Sequence, residues 1–259
     1  MDLACACTLI ELNNRFYADH AASFSATRSA PWEGWRKAAE LLEQRGWGRV
    51  GKTPQVLDLA CGNLRFEHFL RSAMPDVDPA FHAVDACPGL AQDARSIPGV
   101  TFHWADVLQG LLAGDGMHGF EAVPPCDLSV TFGFMHHVPG AAMRRAVLEL
   151  LLDRTARGGI VIISFWQFMN DGRLARKALA ADAVARERSL IDMDQLDRND
   201  HFLGWQSNPS PLRYCHHFGE EEIDGLVASV GTHARELARY SADGSSGTLN
   251  RYLVLERTA

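Results

Sequence analysis

The chain has 259 residues, 47% of them hydrophobic and 22% charged, with a formal net charge of -7. That composition excludes dominant disorder and low-complexity fibres, and the length fits one large α/β domain or two small ones. The acidic balance argues against a protein whose main task is gripping nucleic-acid backbone, while leaving room for a local basic patch.

From the N-terminus, residues 8–46 read as helical in two parts around Phe24-Ser-Ala-Thr-Arg-Ser-Ala-Pro31-Trp32. Pro31 suits a helix start, and Trp35, Ala38, Ala39, Leu41 and Leu42 follow at helical spacing before Gly46 and Gly48 end the run. An alternation then begins. Short apolar runs at 56–59, 81–85, 100–104, 126–132 and 159–165 read as strands. Helices are expected between them at about 66–73, 89–95 and 140–156. Such a rhythm predicts a parallel sheet buried on both faces. Residues 170–212 interrupt it with a charged helical stretch over 171–190 and a polar segment bearing Asp192, Asp194, Asp197 and Asp200. This part reads as an inserted cap, and residues 1–48 as a helical lid, on a single domain of 1–259. A helix at 220–230 and two strands at 234–240 and 251–256, joined by a Gly-rich turn, predict a final antiparallel hairpin.

No stretch approaches the roughly 18 to 20 apolar residues that cross a bilayer, so no membrane role is expected. The start lacks a basic n-region and its apolar run is broken by Glu11, so no secretory signal is expected and the location is read as cytoplasmic. The six cysteines form no CxxC pair and are expected to stay reduced. No metal is expected at Cys5 and Cys7, nor at His216-His217, which lacks an acid or Cys partner at ligand spacing.

The chemistry concentrates at strand ends. Val56-Leu-Asp-Leu-Ala-Cys-Gly-Asn-Leu-Arg-Phe66 runs from a strand through a tight turn into a helix. A dinucleotide turn would read GxGxxG and receive a pyrophosphate; here only Gly62 is present. Asp58 closes the strand instead, and a carboxylate there suits a cationic ligand. Asp85 ends the second strand, where a carboxylate can accept both ribose hydroxyls. Asp106 follows the third strand beside Trp104 and could accept from an adenine amino group. Each acid alone could merely cap a turn. The three in order describe a site for S-adenosylmethionine (SAM), which has a ribose, an adenine and a sulfonium, but no phosphate.

On these residues the sequence resembles the class I SAM-dependent methyltransferases. Their DxGxGxG motif appears as Asp58-Leu-Ala60-Cys-Gly62-Asn-Leu64, with Ala60 and Leu64 in place of two glycines. The resemblance implies a Rossmann-like seven-stranded α/β sheet, mostly parallel with a C-terminal antiparallel hairpin and helices on both faces. It also implies a cofactor site formed by Asp58, Ala60, Gly62, Asn63, Asp85, Ala86, Asp106, Val107 and Phe132.

Other segments resemble one branch, the tRNA wobble-uridine carboxymethyl methyltransferases and their bacterial relatives. They are Phe24-Ser-Ala-Thr-Arg28-Ser-Ala-Pro31-Trp32, Phe134-Met-His136-His137-Val138 and Arg213-Tyr214-Cys-His216-His-Phe218. Methyl transfer from a sulfonium is an in-line displacement that depends on positioning. A carboxylate acceptor needs no base but does need an orienting cation, for which Arg28 and Arg213 are the candidates. A phenol, amine or carbon acceptor would favour a base such as His136, His137 or His216. His136, Arg28 and Arg213 are therefore the catalytic candidates, with Trp32, His137, Tyr214 and His216 as substrate contacts.

Three functions follow. The first is methylation of a carboxyl-bearing modified uridine of tRNA. The second is methylation of a small molecule at oxygen or nitrogen, which the acidic charge favours. The third is a pseudoenzyme that binds SAM or S-adenosylhomocysteine and acts through a partner. The basic cluster from Arg173 to Arg188, counted with Asp171, has a local sum of +2, weak support for RNA. DNA is not expected, and an activating protein partner is left open.

Overall fold

A computed structural model of the chain describes residues 1–27, 30–48, 51–87, 89–90, 97–206 and 208–259. Helix α1 (Leu3–Ala26) starts where the Asp2 carboxylate accepts from the Cys5 N–H. Helix α2 (Glu33–Gln44) buries Trp35, Ala38, Ala39 and Leu42 on one stripe. The alternating part gives β1 (Gln55–Leu59), α3 (Arg65–Ala73), β2 (Ala80–Asp85), β3 (Val100–Trp104), α4 (Val107–Leu112), β4 (Cys126–Thr131), α5 (Ala141–Arg154) and β5 (Thr155–Trp166). Helix α6 (Gly172–Glu187) and strands β6 (Asp200–Trp205) and β7 (Asn208–His216) follow, then α7 (Glu220–Val230), β8 (Ala234–Ala242) and β9 (Asn250–Arg257).

Seven strands form one sheet in the order β3-β2-β1-β4-β5-β9-β8. The first five run parallel, and β9 is antiparallel to both β5 and β8. Successive residues serve opposite faces. Leu57, Leu59, Val161 and Ile163 join Leu148 and Leu151 of α5 in one core layer. Val56, Ile160 and Ile162 join Trp35, Phe66 and Phe69 in the other. The chain reverses its strand order between β1 and β4, which opens a crevice at their carboxyl ends.

The expected strands and the last helix lie where the sequence puts them. Three features differ. α1 begins at Leu3 rather than near residue 8. The six-residue α4, absent from the expected elements, starts on Asp106 as its cap. The segment read as polar after residue 190 contains β6, which pairs antiparallel with β7. Its Phe202 packs with Leu9, Ala181, Ala185, Leu212 and Tyr214, so the inserted residues share a core with α1. Most of the helix expected at 89–95 lies outside the described residues. All six cysteines are free thiols, and among the described residues no helix is long and apolar enough to cross a membrane.

Candidate active site

A cavity of about 870 Å³ sits at the carboxyl ends of the parallel strands. Small-molecule sites occupy roughly 300–1,000 Å³, so this one has room for a cofactor and an acceptor together. Its acidic half comes from β1, β2 and the start of α4. The turn after β1 is fixed by the Ala60 and Cys61 N–H groups, which both donate to the Val84 carbonyl. Gly62 has φ +58, and a Cβ there would meet nothing within 4 Å, so its backbone is open. Its N–H donates to Asp85 at 2.9 Å, while the other Asp85 oxygen accepts from Cys87 N–H at 2.7 Å. Asp106 accepts from Gln109 N–H at 3.0 Å as the cap of α4, and from Asn14 of α1 at 2.7 Å. It thus caps a helix and lines the cavity at once.

All nine residues expected at the cofactor line this cavity: Asp58, Ala60, Gly62, Asn63, Asp85, Ala86, Asp106, Val107 and Phe132. Burial raises the pKa of Asp58 and of Asp85. The acids, the open Gly62 backbone and the cavity size together fit SAM.

The other half comes from α1, the turn after β4, the end of β5 and β7. His136, His137, Trp32 and Arg213 all line it. Trp32 stacks on Trp35 with centroids 5.2 Å apart. It also crowds Gly133, whose φ is +71 and whose added Cβ would lie 3.1 Å from the indole. His137 Nδ1 lies 3.0 Å from the Tyr214 carbonyl and 3.2 Å from the Asn13 amide nitrogen. Its Nε2 is hydrogen-bonded to the Tyr17 hydroxyl at 2.7 Å. The His136 ring packs against His137 at 4.0 Å and Trp166 at 4.8 Å.

Arg213 is 7% exposed, with its guanidinium carbon 5.1 Å from the Phe16 ring, 5.7 Å from Trp205 and 6.0 Å from Trp166. Its Nε and Nη1 have no hydrogen-bond partner, and it forms no ion pair among the described residues. Arg28, the companion candidate, lies outside the described residues.

Two expected substrate contacts are corrected. Tyr214 and His216 do not line the cavity. On a strand, neighbours face opposite ways. Arg213 faces the cavity, so Tyr214 and His216 point into the core, where the Tyr214 hydroxyl and His216 Nδ1 both reach Asp200 at 2.6 Å. His216 Nε2 lies 2.6 Å from Glu222, which Arg144 also meets at 2.8 Å. Arg144 closes the network on Asp197 at 2.8 Å.

His136, His137 and Cys215 bring one ligand atom each to within 4.8 Å of one another. Both His137 nitrogens are already hydrogen-bonded, and burial pushes the Cys215 thiol up to about 11. The three form a packed cluster at the cavity wall, which His136 and His137 line and Cys215 does not.

The sequence reading missed several residues. Tyr17 and Asn13 lie on α1, whose length hid a polar stripe facing the cavity. Glu67 is fully buried on α3. The available signal was an acid three residues before Leu70, on the helix's apolar side. Asp243, in the hairpin turn, accepts from Gly34 N–H, Asn250 and Tyr252.

No family model matches the chain. It is 24% identical over 218 residues to a candidate methyltransferase of Encephalitozoon cuniculi, covering 84% of this chain and 85% of that protein. It is 25% identical over 158 residues to the tRNA (carboxymethyluridine(34)-5-O)-methyltransferase of Saccharomyces cerevisiae, covering 60% of this chain. That match spans about half the length of the yeast protein, 48%. A solved SAM-dependent methyltransferase of Methanosarcina mazei superposes with a TM-score of 0.57 at 13% identity, over 81% of this chain and 94% of that one. The chain has the class I fold of the SAM-dependent methyltransferases.

Proposed function

We propose that this chain is a SAM-dependent methyltransferase whose acceptor carries a carboxylate, with the carboxymethyl group of a modified tRNA uridine as the leading acceptor. Arg213 carries the reading. A buried guanidinium without an acid partner is costly unless a ligand brings the anion. Its place among three aromatic rings, across the cavity from the acids, suits a carboxylate attached to a planar group.

SAM would supply the electrophilic methyl group. Asp85 would hold the ribose hydroxyls and Asp106 the adenine edge, while Asp58 would offset positive charge. Arg213 would fix the acceptor carboxylate, already a nucleophile at neutral pH, for in-line attack. The tRNA acceptor rests on the sequence elements and the yeast relative.

A second reading has its own support. Tyr17 and His137 make a hydrogen-bonded relay at the cavity wall, suited to removing a proton from a small hydroxyl or amine acceptor. Mass spectrometry of tRNA nucleosides from cells lacking the protein separates the two. Loss of a uridine methyl ester, with its free acid accumulating, is expected. An unchanged profile rejects tRNA and leaves the small-molecule acceptor.

A further inference from the structure

The acidic half of the cavity holds more negative charge than turn capping needs. Asp58 is 2% exposed and Glu67 0%, and the two carboxyls lie within electrostatic range of each other at the junction of β1 and α3. Among the described residues no fixed donor from another residue reaches either Glu67 oxygen. Two such carboxyls have no donor between them unless one carries a proton. The titratable groups facing the pair are Asp85 from β2 and the Cys61 thiol from the turn. No cation is among them. Three carboxyls and no counter-charge cannot all ionise in a desolvated site.

We infer that Asp58 and Glu67 share one proton in the empty protein and release it when a cationic cofactor enters, so that binding is linked to pH and favours a sulfonium over a neutral sulfide. This rests on the SAM reading above. The balance is simple: the cofactor brings a positive charge to Asp58, the shared proton leaves to solvent, and the pair becomes fully ionised. After methyl transfer the sulfur is neutral, the pair takes a proton back, and the product loses its advantage. Burial pushes Glu67 up to about 8, so the proton is present in the empty site at neutral pH. Asp58 lines the cavity, while Glu67 acts only through it and is a positioning residue.

The test is calorimetric titration of the full chain with SAM and, separately, with S-adenosylhomocysteine, at pH 7 in buffers of different ionisation enthalpy. The dependence of the heat on the buffer counts protons. SAM is expected to release close to one proton, and S-adenosylhomocysteine markedly less. SAM affinity should tighten by up to tenfold per pH unit between pH 6 and 8 as the linkage acts. Glu67→Gln, which keeps a neutral donor beside Asp58, should bind SAM with no release. SAM binding to the unaltered chain without proton release overturns the inference alone, and needs no variant. Equal release in a folded Glu67→Gln overturns it too. Absence of SAM binding overturns the cofactor reading and the inference with it.

Discussion

Ala60 and Leu64 occupy left-handed backbone, with φ 62 and 59, where the resemblance would place glycines. Such a conformation costs a non-glycine residue roughly 1–2 kcal/mol. Ala60→Gly is therefore expected to stabilise the chain by about 1 kcal/mol, less the entropy glycine loses on folding. Thermal denaturation should show a rise in Tm. Leu64→Gly should do the opposite. Leu64 is 1% exposed and packs with Cys61 and Ala83, so the lost burial costs about 2 kcal/mol or more and outweighs the relieved strain. Arg213→Gln should leave SAM binding within a few-fold and cut methyl transfer by about 10²-fold, the scale of a lost charged hydrogen bond.

Burial works against a charge on His216, but hydrogen bonds to Asp200 and Glu222 outweigh it and raise its pKa. Its pKa is thus higher folded than unfolded, where it is about 6.5. That stabilisation is complete below about pH 6.5 and is lost as pH rises through the folded pKa. The denaturation midpoint of the unaltered chain should fall over that range relative to His216→Gln, whose profile should be flatter there. Parallel profiles would contradict this account.

At the scale of elements, the joint between α1 and β7 sets the acceptor half of the cavity. Asn13 clamps β7 at Tyr214, donating to its carbonyl at 3.2 Å and accepting from its N–H at 2.8 Å. Asn13→Ala leaves the buried Tyr214 N–H unpaired, at about 1–3 kcal/mol, while His137 still lies 3.0 Å from the carbonyl. Hydrogen exchange should show faster opening at Tyr214, with β1 and β4 unchanged. The core strands were legible in sequence because a strand buried on both faces reads as an unbroken apolar run, as in Ile160 to Ile163. Strand β6 was not. Its His201-Phe-Leu-Gly follows four aspartates spread over nine residues, and its apolar side chains find their partners on α1, α6 and β7 and at Phe168. The faces of β7 were equally hidden. The order Arg213-Tyr214-Cys215-His216 gives the alternation but not which side meets the cavity. The three acids were legible because each lies at or just beyond the carboxyl end of a strand, and the parallel register brings those ends together.

For the whole molecule, the net charge of -7 takes on a local meaning. Asp58, Glu67 and Asp85 place part of that charge where a cationic cofactor would offset it, while Arg213, which forms no ion pair among the described residues, lines the same cavity as Asp58 and Asp85. One cavity therefore holds both carboxyls and a buried guanidinium, the pairing on which the proposed transfer from a sulfonium to a carboxylate rests. Calorimetric titration of SAM into the unaltered chain and into Asp85→Ala tests this most directly. The account predicts saturable binding at a single site, weakened at least tenfold by the substitution. No binding, or equal binding by a folded Asp85→Ala, would contradict it.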